Sequence, residues 1–134
     1  MAGGVRQLRV VITANDYDQA VAFYRDVLGM REEGAFAAEG GRVAILDAGR
    51  ATLEITDPVH AAYIDRVEVG RRVAGHIRLA LEVDDARDAT DRAMAAGASL
   101  VAEPIVTPWY SLNSRLDGPG DLQLTLFQEL EPAH

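Results

Sequence analysis

Three charged side chains on strand-like segments are the first candidates for chemistry. Arg9 sits in an alternating apolar run from Leu8 to Thr13, Arg78 in a second such run, and Glu54 in Ala51 to Thr56. Arg9 lies seven residues before Asp16 and Arg78 lies seven before Asp85, so the arginines hold matching places in two similar stretches. Two guanidiniums and a carboxylate that met on one surface could hold a carboxylate, enolate or phosphate bidentately. Glu54 would then fix their orientation or act as a base. The same residues, joined by Glu82, could instead be an ion cluster that neutralises itself, because buried charges need partners. A second group lies in Pro108 to Arg115, PWYSLNSR, where Trp109 and Tyr110 precede Asn113 and Arg115. An indole and a phenol beside polar groups suit an aromatic ligand, although Trp109 could also fill a core gap after Pro108.

These side chains need elements to place them. Leu8 to Thr13 reads as a half-buried strand. After Asn15-Asp16 comes a helix with Ala20, Val21, Phe23, Tyr24, Val27 and Leu28 on its core side. Asp16 is an N-cap with Gln19 at capping-box spacing, and Gly29 can close the helix. Arg78 to Leu100 repeats the pattern: alternation, acidic cap and closing glycine. Around the first unit, Arg31 to Ala38, Arg42 to Asp47 and Ala51 to Thr56 read as strands, separated by Gly40-Gly41 and Asp47-Ala48-Gly49. Asp57-Pro58 stops the last of them, and Val59 to Val69 is expected to form a short bridging helix. The second unit reads as a strand over Val73 to Val83, a helix over Ala86 to Ala96 capped by Asp85, and strands over Leu100 to Thr107, Tyr110 to Leu116 and Leu122 to Gln128. The expected organisation is one domain over residues 1–134: a βαβββ module over 5–57, a bridge over 58–72 and a second βαβββ module over 73–129.

Strand parity divides the side chains into two faces. Val10, Ile12, Leu53, Ile55, Leu79, Leu81, Val83, Leu122, Leu124 and Leu126 form the helix-covered set. Arg9, Val11, Thr13, Thr52, Glu54, Thr56, Arg78, Ala80, Glu82, Gln123, Thr125 and Phe127 form the other. Counting from Gly49 and Gly120 places Glu54 and Thr125 at matching positions. A face that mixes charge, hydroxyl and apolar groups suits a sheet curved around a polar-bottomed cavity.

Composition narrows the function classes. The 134 residues contain no cysteine, which excludes disulfides and thiolate metal sites, and their net charge of -8 disfavours a grip on nucleic acid or anionic lipid. The lack of a long apolar run leads us to expect a cytoplasmic protein, with a small molecule as partner and neither membrane nor nucleic acid.

The run D-Y-D-Q-A-V-A-F-Y-R-D-V-L-G-M at Asp16 to Met30 resembles the opening signature of the vicinal oxygen chelate superfamily, which includes glyoxalase I, bleomycin-resistance proteins and extradiol dioxygenases. L-E-I at Leu53 to Ile55, V-D-D at Val83 to Asp85, P-W-Y at Pro108 to Tyr110 and D-G-P-G at Asp117 to Gly120 extend the resemblance over nearly the whole chain. It implies an α+β fold, with two βαβββ modules forming a curved, barrel-like mixed sheet around a cavity, helices outside and PWYSLNSR beside the mouth. The metal-dependent members take ligands from the first and last strands of each module, commonly two His and one or two Glu. The matching positions here are Arg9, Glu54, Arg78 and Thr125, and a guanidinium has no lone pair to give.

A catalytic metal such as zinc, nickel, iron or manganese is therefore not expected. The fallback set is Gln7, Glu54 and His76, which needs a shift of two residues along the strands, roughly 6.6 Å against bonds of about 2.0–2.3 Å. His60 and His134 receive no role. The leading expectation is a metal-free, homodimeric binder of an antibiotic or aromatic metabolite, with Arg9, Glu54, Arg78, Trp109, Tyr110, Asn113 and Arg115 at the ligand. One alternative is a metal-dependent lyase, isomerase or dioxygenase. The other is a metal-free enzyme in which Arg9 and Arg78 stabilise an anion and Glu54 moves a proton.

Overall fold

The computed structural model describes residues 4–27, 30–49, 51–118 and 122–131. The first half comprises β1 (Gln7–Thr13), α1 (Tyr17–Val21) continuing into a π-helical turn (Ala22–Val27), β2 (Glu32–Ala38), β3 (Gly41–Asp47) and β4 (Ala51–Thr56). After α2 (Pro58–Glu68) come β5 (Ile77–Glu82), α3 (Ala86–Ala95), β6 (Ser99–Val106), β7 (Ser111–Gly118) and β8 (Leu122–Glu129). The side chains of Phe23 and Tyr24, expected in the core, lie outside the described residues, as do Gly29 and Gly120.

All eight strands form one mixed, unclosed sheet in the order β2-β3-β4-β1-β5-β8-β7-β6. β1 runs parallel to β4 and β5 runs parallel to β8, while β1 and β5 meet antiparallel with Arg9 opposite Ala80 and Val11 opposite Arg78. Exchanging Arg9 with Arg78 and Val11 with Ala80 returns the same two pairs. An approximate twofold therefore passes between the central strands, and both halves belong to one chain.

Each helix begins on an aspartate whose carboxylate accepts from the backbone three residues on: Asp16 from Gln19 at 3.0 Å, Asp57 from His60 at 2.8 Å and Asp85 from Asp88 at 3.1 Å. Gly97 closes α3 with φ at 112°, in the left-handed region, as its place after the helix predicts. The first hairpin turns one residue earlier than the Gly40-Gly41 signal suggests, through Glu39 and Gly40 at φ 54° and 81°. Gly41 is left to open β3 for a different reason, given below.

α1 and α3 cover the convex face. Tyr17 and Val21 pack with Ala44, Leu46 and Ile55 in the first half, and Ala86 and Ala89 with Val83, Leu112, Leu116 and Leu126 in the second. Leu46, Ile55 and Leu116 are fully buried, each contributing about 1.5–3 kcal/mol by burial. β6, an edge strand, carries Pro104 where the register slips between Ala102 and Ile105, a place where a missing N–H costs no ladder bond. β5 is shorter than the expected Val73 to Val83 strand. The amides of Val73 and Ala74 are taken by the Asp65 carboxylate at 2.9 Å each, so residues 73–76 form a loop tied to α2.

Candidate functional site

The concave face holds the polar set that parity assigns to it. Arg9 and Val11 of β1, Glu54 and Thr56 of β4, Arg78 and Ala80 of β5, and Thr125 and Phe127 of β8 line one cavity of about 380 Å³. On one flank β2 and β3 add Phe36, Val43 and Ile45; on the other β7 adds Ser111 and Asn113, with Trp109 just before it. The remaining wall is α2, through His60, Tyr63, Ile64 and Glu68. This bridging helix lies in the trough, whereas α1 and α3 lie behind the sheet.

Two sequence features seat α2. A Cβ on Gly41 would collide with the backbone nitrogen of His60, so the first turn can lie against β3 only because residue 41 has no side chain. At the other end Asp65 and Glu68, three apart on one helical face, meet Arg115 of β7. Arg115 Nη1 donates to Asp65 Oδ1 at 2.8 Å and to Gln123 Oε1 at 2.8 Å, while its Nη2 and Nε reach Glu68 Oε1 at 2.7 and 3.2 Å. Asn113 Nδ2 donates to Glu68 Oε2 at 2.8 Å, and Ser111 Oγ donates to Asn113 Oδ1 at 2.6 Å. The side chains of Arg115, Asp65 and Glu68 are 0, 1 and 2 % exposed, so the charges compensate one another out of water. Burial pushes the Asp65 carboxyl up, but the amides of Ala74 and Val73 and the Arg115 and Arg72 guanidiniums outweigh it and hold it below its ordinary value.

The floor is less saturated. Arg9 Nε donates to Gln7 Oε1 at 2.8 Å, its terminal nitrogens stand 3.5 Å from Glu54 Oε2 and 3.5 Å from Glu129 Oε1, and the guanidinium lies 4.6 Å over the Phe127 ring. The Glu54 side chain is 15 % exposed. Burial raises its pKa, outweighing the opposing pull of Arg9 and Arg78. Arg78 Nη1 donates to Thr125 Oγ1 at 2.6 Å, and among the described residues no carboxylate lies within 4.0 Å of its guanidinium. Burial disfavours its charge, and Glu68 and Glu54 act across the cavity to sustain it.

His60 is 6 % exposed, burial lowers its pKa below the ordinary imidazole value, and its Nδ1 has no hydrogen-bond partner among the described residues. Its ring, that of Tyr63 and that of Trp109 follow one another at centroid separations of 5.8 and 6.3 Å.

Of the residues proposed for the ligand, Arg9, Glu54, Arg78, Trp109 and Asn113 line the cavity. Tyr110 does not: it turns the chain at φ 63° and is 51 % exposed. Arg115 also lies outside it, sequestered beneath α2. The fallback metal set does not assemble either. Shifting back along antiparallel strands moves the two residues in opposite directions, so Gln7 lies opposite Glu82 while the carbonyl of His76 receives the amide of Thr13. Six residue steps separate the two levels, roughly 20 Å. Sequence reading missed the residues of α2. The one available signal was the Asp65/Glu68 spacing, an acidic helical face in need of a buried arginine.

The donor set at the four central positions, two guanidiniums, a carboxylate and a hydroxyl, does not fit a divalent cation. Among the described residues no cluster of three His, Asp or Glu side chains is placed to hold one. No described helix is long and apolar enough to cross a membrane.

Comparison with known proteins agrees with this architecture. A hypothetical protein of Bacillus halodurans superposes with a TM-score of 0.69 at 15% identity, over 100% of this chain and 99% of its own. Methylmalonyl-CoA epimerase of Streptomyces coelicolor, solved with 2-nitronate-propionyl-CoA, gives 0.67 at 20% identity over 96% of this chain and 100% of its own. The methylmalonyl-CoA epimerase of Mycobacterium tuberculosis gives 0.64 at 20% identity over 96% and 89%. At such identities the likeness is one of fold. No curated protein matches the sequence significantly. The sequence profile of one family does match, over residues 6–126, and the chain belongs to the glyoxalase/bleomycin resistance protein/dioxygenase superfamily.

Proposed function

We propose that this protein binds a small organic ligand in the cavity beneath α2 without using a divalent metal. The observation that carries the reading is Arg78, a cavity-lining guanidinium with one hydrogen bond and no carboxylate in contact among the described residues, at a position where metal-dependent relatives place a ligand atom. A cavity of about 380 Å³ with a charged floor and apolar flank has the size and lining of a small-molecule site. Sequestration, as in the bleomycin-resistance branch, fits these features, and a cytoplasmic homodimer is the setting we propose. Thermal unfolding of chelator-treated protein against a metabolite and antibiotic library tests it. A true ligand raises the midpoint with the logarithm of its excess over Kd, and added zinc, nickel, iron or manganese changes nothing. Stoichiometric metal retained on purification, with loss of stability on its removal, would refute the metal-free reading.

A second reading rests on Glu54, whose proton affinity is raised on the cavity floor. A carboxyl so tuned can move a proton at a carbon beside a carbonyl, the kind of step an epimerase needs, with Arg78 meeting the enolate charge. Deuterium exchange into a bound carbonyl compound distinguishes the two. A binder exchanges nothing, whereas an enzyme exchanges and Glu54→Gln abolishes the exchange while binding persists.

A further inference from the structure

The charges around the cavity are unequally satisfied, and the inequality describes a ligand. Of the two arginines on the floor, Arg9 stands 3.5 Å from each of Glu54 and Glu129 and is covered by the Phe127 ring. Among the described residues Arg78 has only the Thr125 hydroxyl, at 2.6 Å. A guanidinium carries five N–H donors in a planar fork that matches a carboxylate edge. Glu54 and Glu68 line the same cavity, so a ligand bringing two negative charges would meet both carboxylates, while a ligand bringing one would replace the missing counter-charge of Arg78. Aromatic groups shape the space above the floor. Tyr63 and Trp109 stand with ring centroids 6.3 Å apart, and Phe36 faces the cavity from β2. Rings in such walls favour a flat aromatic body over an aliphatic one of equal size.

We infer that the cavity selects aromatic monocarboxylates, with the carboxylate on the Arg78 guanidinium and the ring against Tyr63, Trp109 and Phe36. The inference rests on the small-molecule reading above and adds the chemical class of the ligand. Phosphate monoesters carry the same kind of oxygen edge and are the nearest competitor, so the test includes one.

Calorimetric titration of chelator-treated protein with 2-naphthoate, 2-naphthamide, decahydro-2-naphthoate and 2-naphthyl phosphate separates charge, aromaticity and anion type. The fluorescence of Trp109, the single tryptophan, reports whether the cavity is the place of binding. The acid is expected to bind at least tenfold more tightly than each of the other three and to shift the Trp109 emission. Arg78→Gln should lower naphthoate affinity at least tenfold and leave naphthamide unchanged, with Arg78→Lys between them because a point charge lacks the fork. If Arg78→Gln does not fold, the four-ligand series on the unaltered protein and Arg78→Lys decide. Naphthamide, decahydro-2-naphthoate or naphthyl phosphate binding as tightly as naphthoate in the cavity overturns the ligand class and leaves small-molecule binding intact. No binding by any of the four, with no shift from the wider library, overturns both.

Discussion

The two halves of the sheet share a plan and differ on the concave side. β3 and β7 hold equivalent places: Ile45 lies opposite Glu54 as Arg115 lies opposite Thr125, and Val43 lies opposite Thr56 as Asn113 lies opposite Phe127. The inward residues of the first half are thus valine and isoleucine, and their counterparts are asparagine and arginine. The polar pair is tied to α2 through Asp65 and Glu68, with Arg115 withdrawn from the cavity and Asn113 left at its edge; the apolar pair bonds to nothing on α2 and forms a cavity wall. A repeated unit can therefore use one copy to anchor a roof and the other to enclose space, and the inward pairs of β3 and β7 differ accordingly.

The largest expected effect breaks the anchored half. Arg115→Met leaves Glu68 buried without its cation and Asp65 with Arg72 alone, and should cost about 3–5 kcal/mol in urea unfolding. The equivalent change Ile45→Met, a swap of similar volume at a partly exposed site, should cost under about 1.5 kcal/mol. Adding Asp65→Asn and Glu68→Gln to Arg115→Met should recover much of the loss, since the stranded charges go with their partner. Equal losses at residues 115 and 45 would show that the halves are not divided as described.

The same network gives the comparison a pH signature. The Asp65 pKa is held below its unfolded value, so its contribution is fully present above the ordinary carboxylate range, near ~3.9, and is lost as pH falls through the lower folded value. Acid should loosen α2 first, seen as hydrogen exchange at Val73 and Ala74, whose amides it holds. In Asp65→Asn that acid dependence should disappear. Next in size is the seat at the other end of α2: Gly41→Ala should cost about 1–3 kcal/mol, because backbone must move rather than a side chain rotate.

Much of this plan was legible in the sequence, for local reasons. Strand parity placed Arg9, Glu54 and Arg78 on one face because alternation is a property of the backbone, and the aspartates before α1 and α3 announced their caps, whereas Asp57, read only as the end of a strand, proved to cap α2 as well. The position of α2 was not legible, since it depends on contacts between Arg115 and residues 47 and 50 positions away, which no local pattern encodes. For the same reason Val73 and Ala74 looked like strand, their amides being taken by a distant carboxylate. Gln7 and His76 looked equivalent, and they are, but an antiparallel twofold sends equivalents to opposite ends. Trp109 and Tyr110 were inseparable by type; the positive φ of Tyr110 decides which ring faces the cavity.

The smallest effect tests where the halves should agree. On the convex side both begin their helix with an aspartate accepting one amide, at 3.0 Å for Asp16 and 3.1 Å for Asp85, and both helices cover a cluster of buried apolar residues. Removing either carboxylate strands one donor at an exposed helix end, so Asp16→Ala and Asp85→Ala should each cost about 1 kcal/mol. Urea titrations of the two variants and their double mutant supply the check. The caps sit in different halves and share no partner, so the double mutant should lose the sum within about 0.5 kcal/mol. A cost at Asp16 several times that at Asp85 would mean that the first half depends on its helix more heavily. The asymmetry of the concave side would then extend through the sheet to its back.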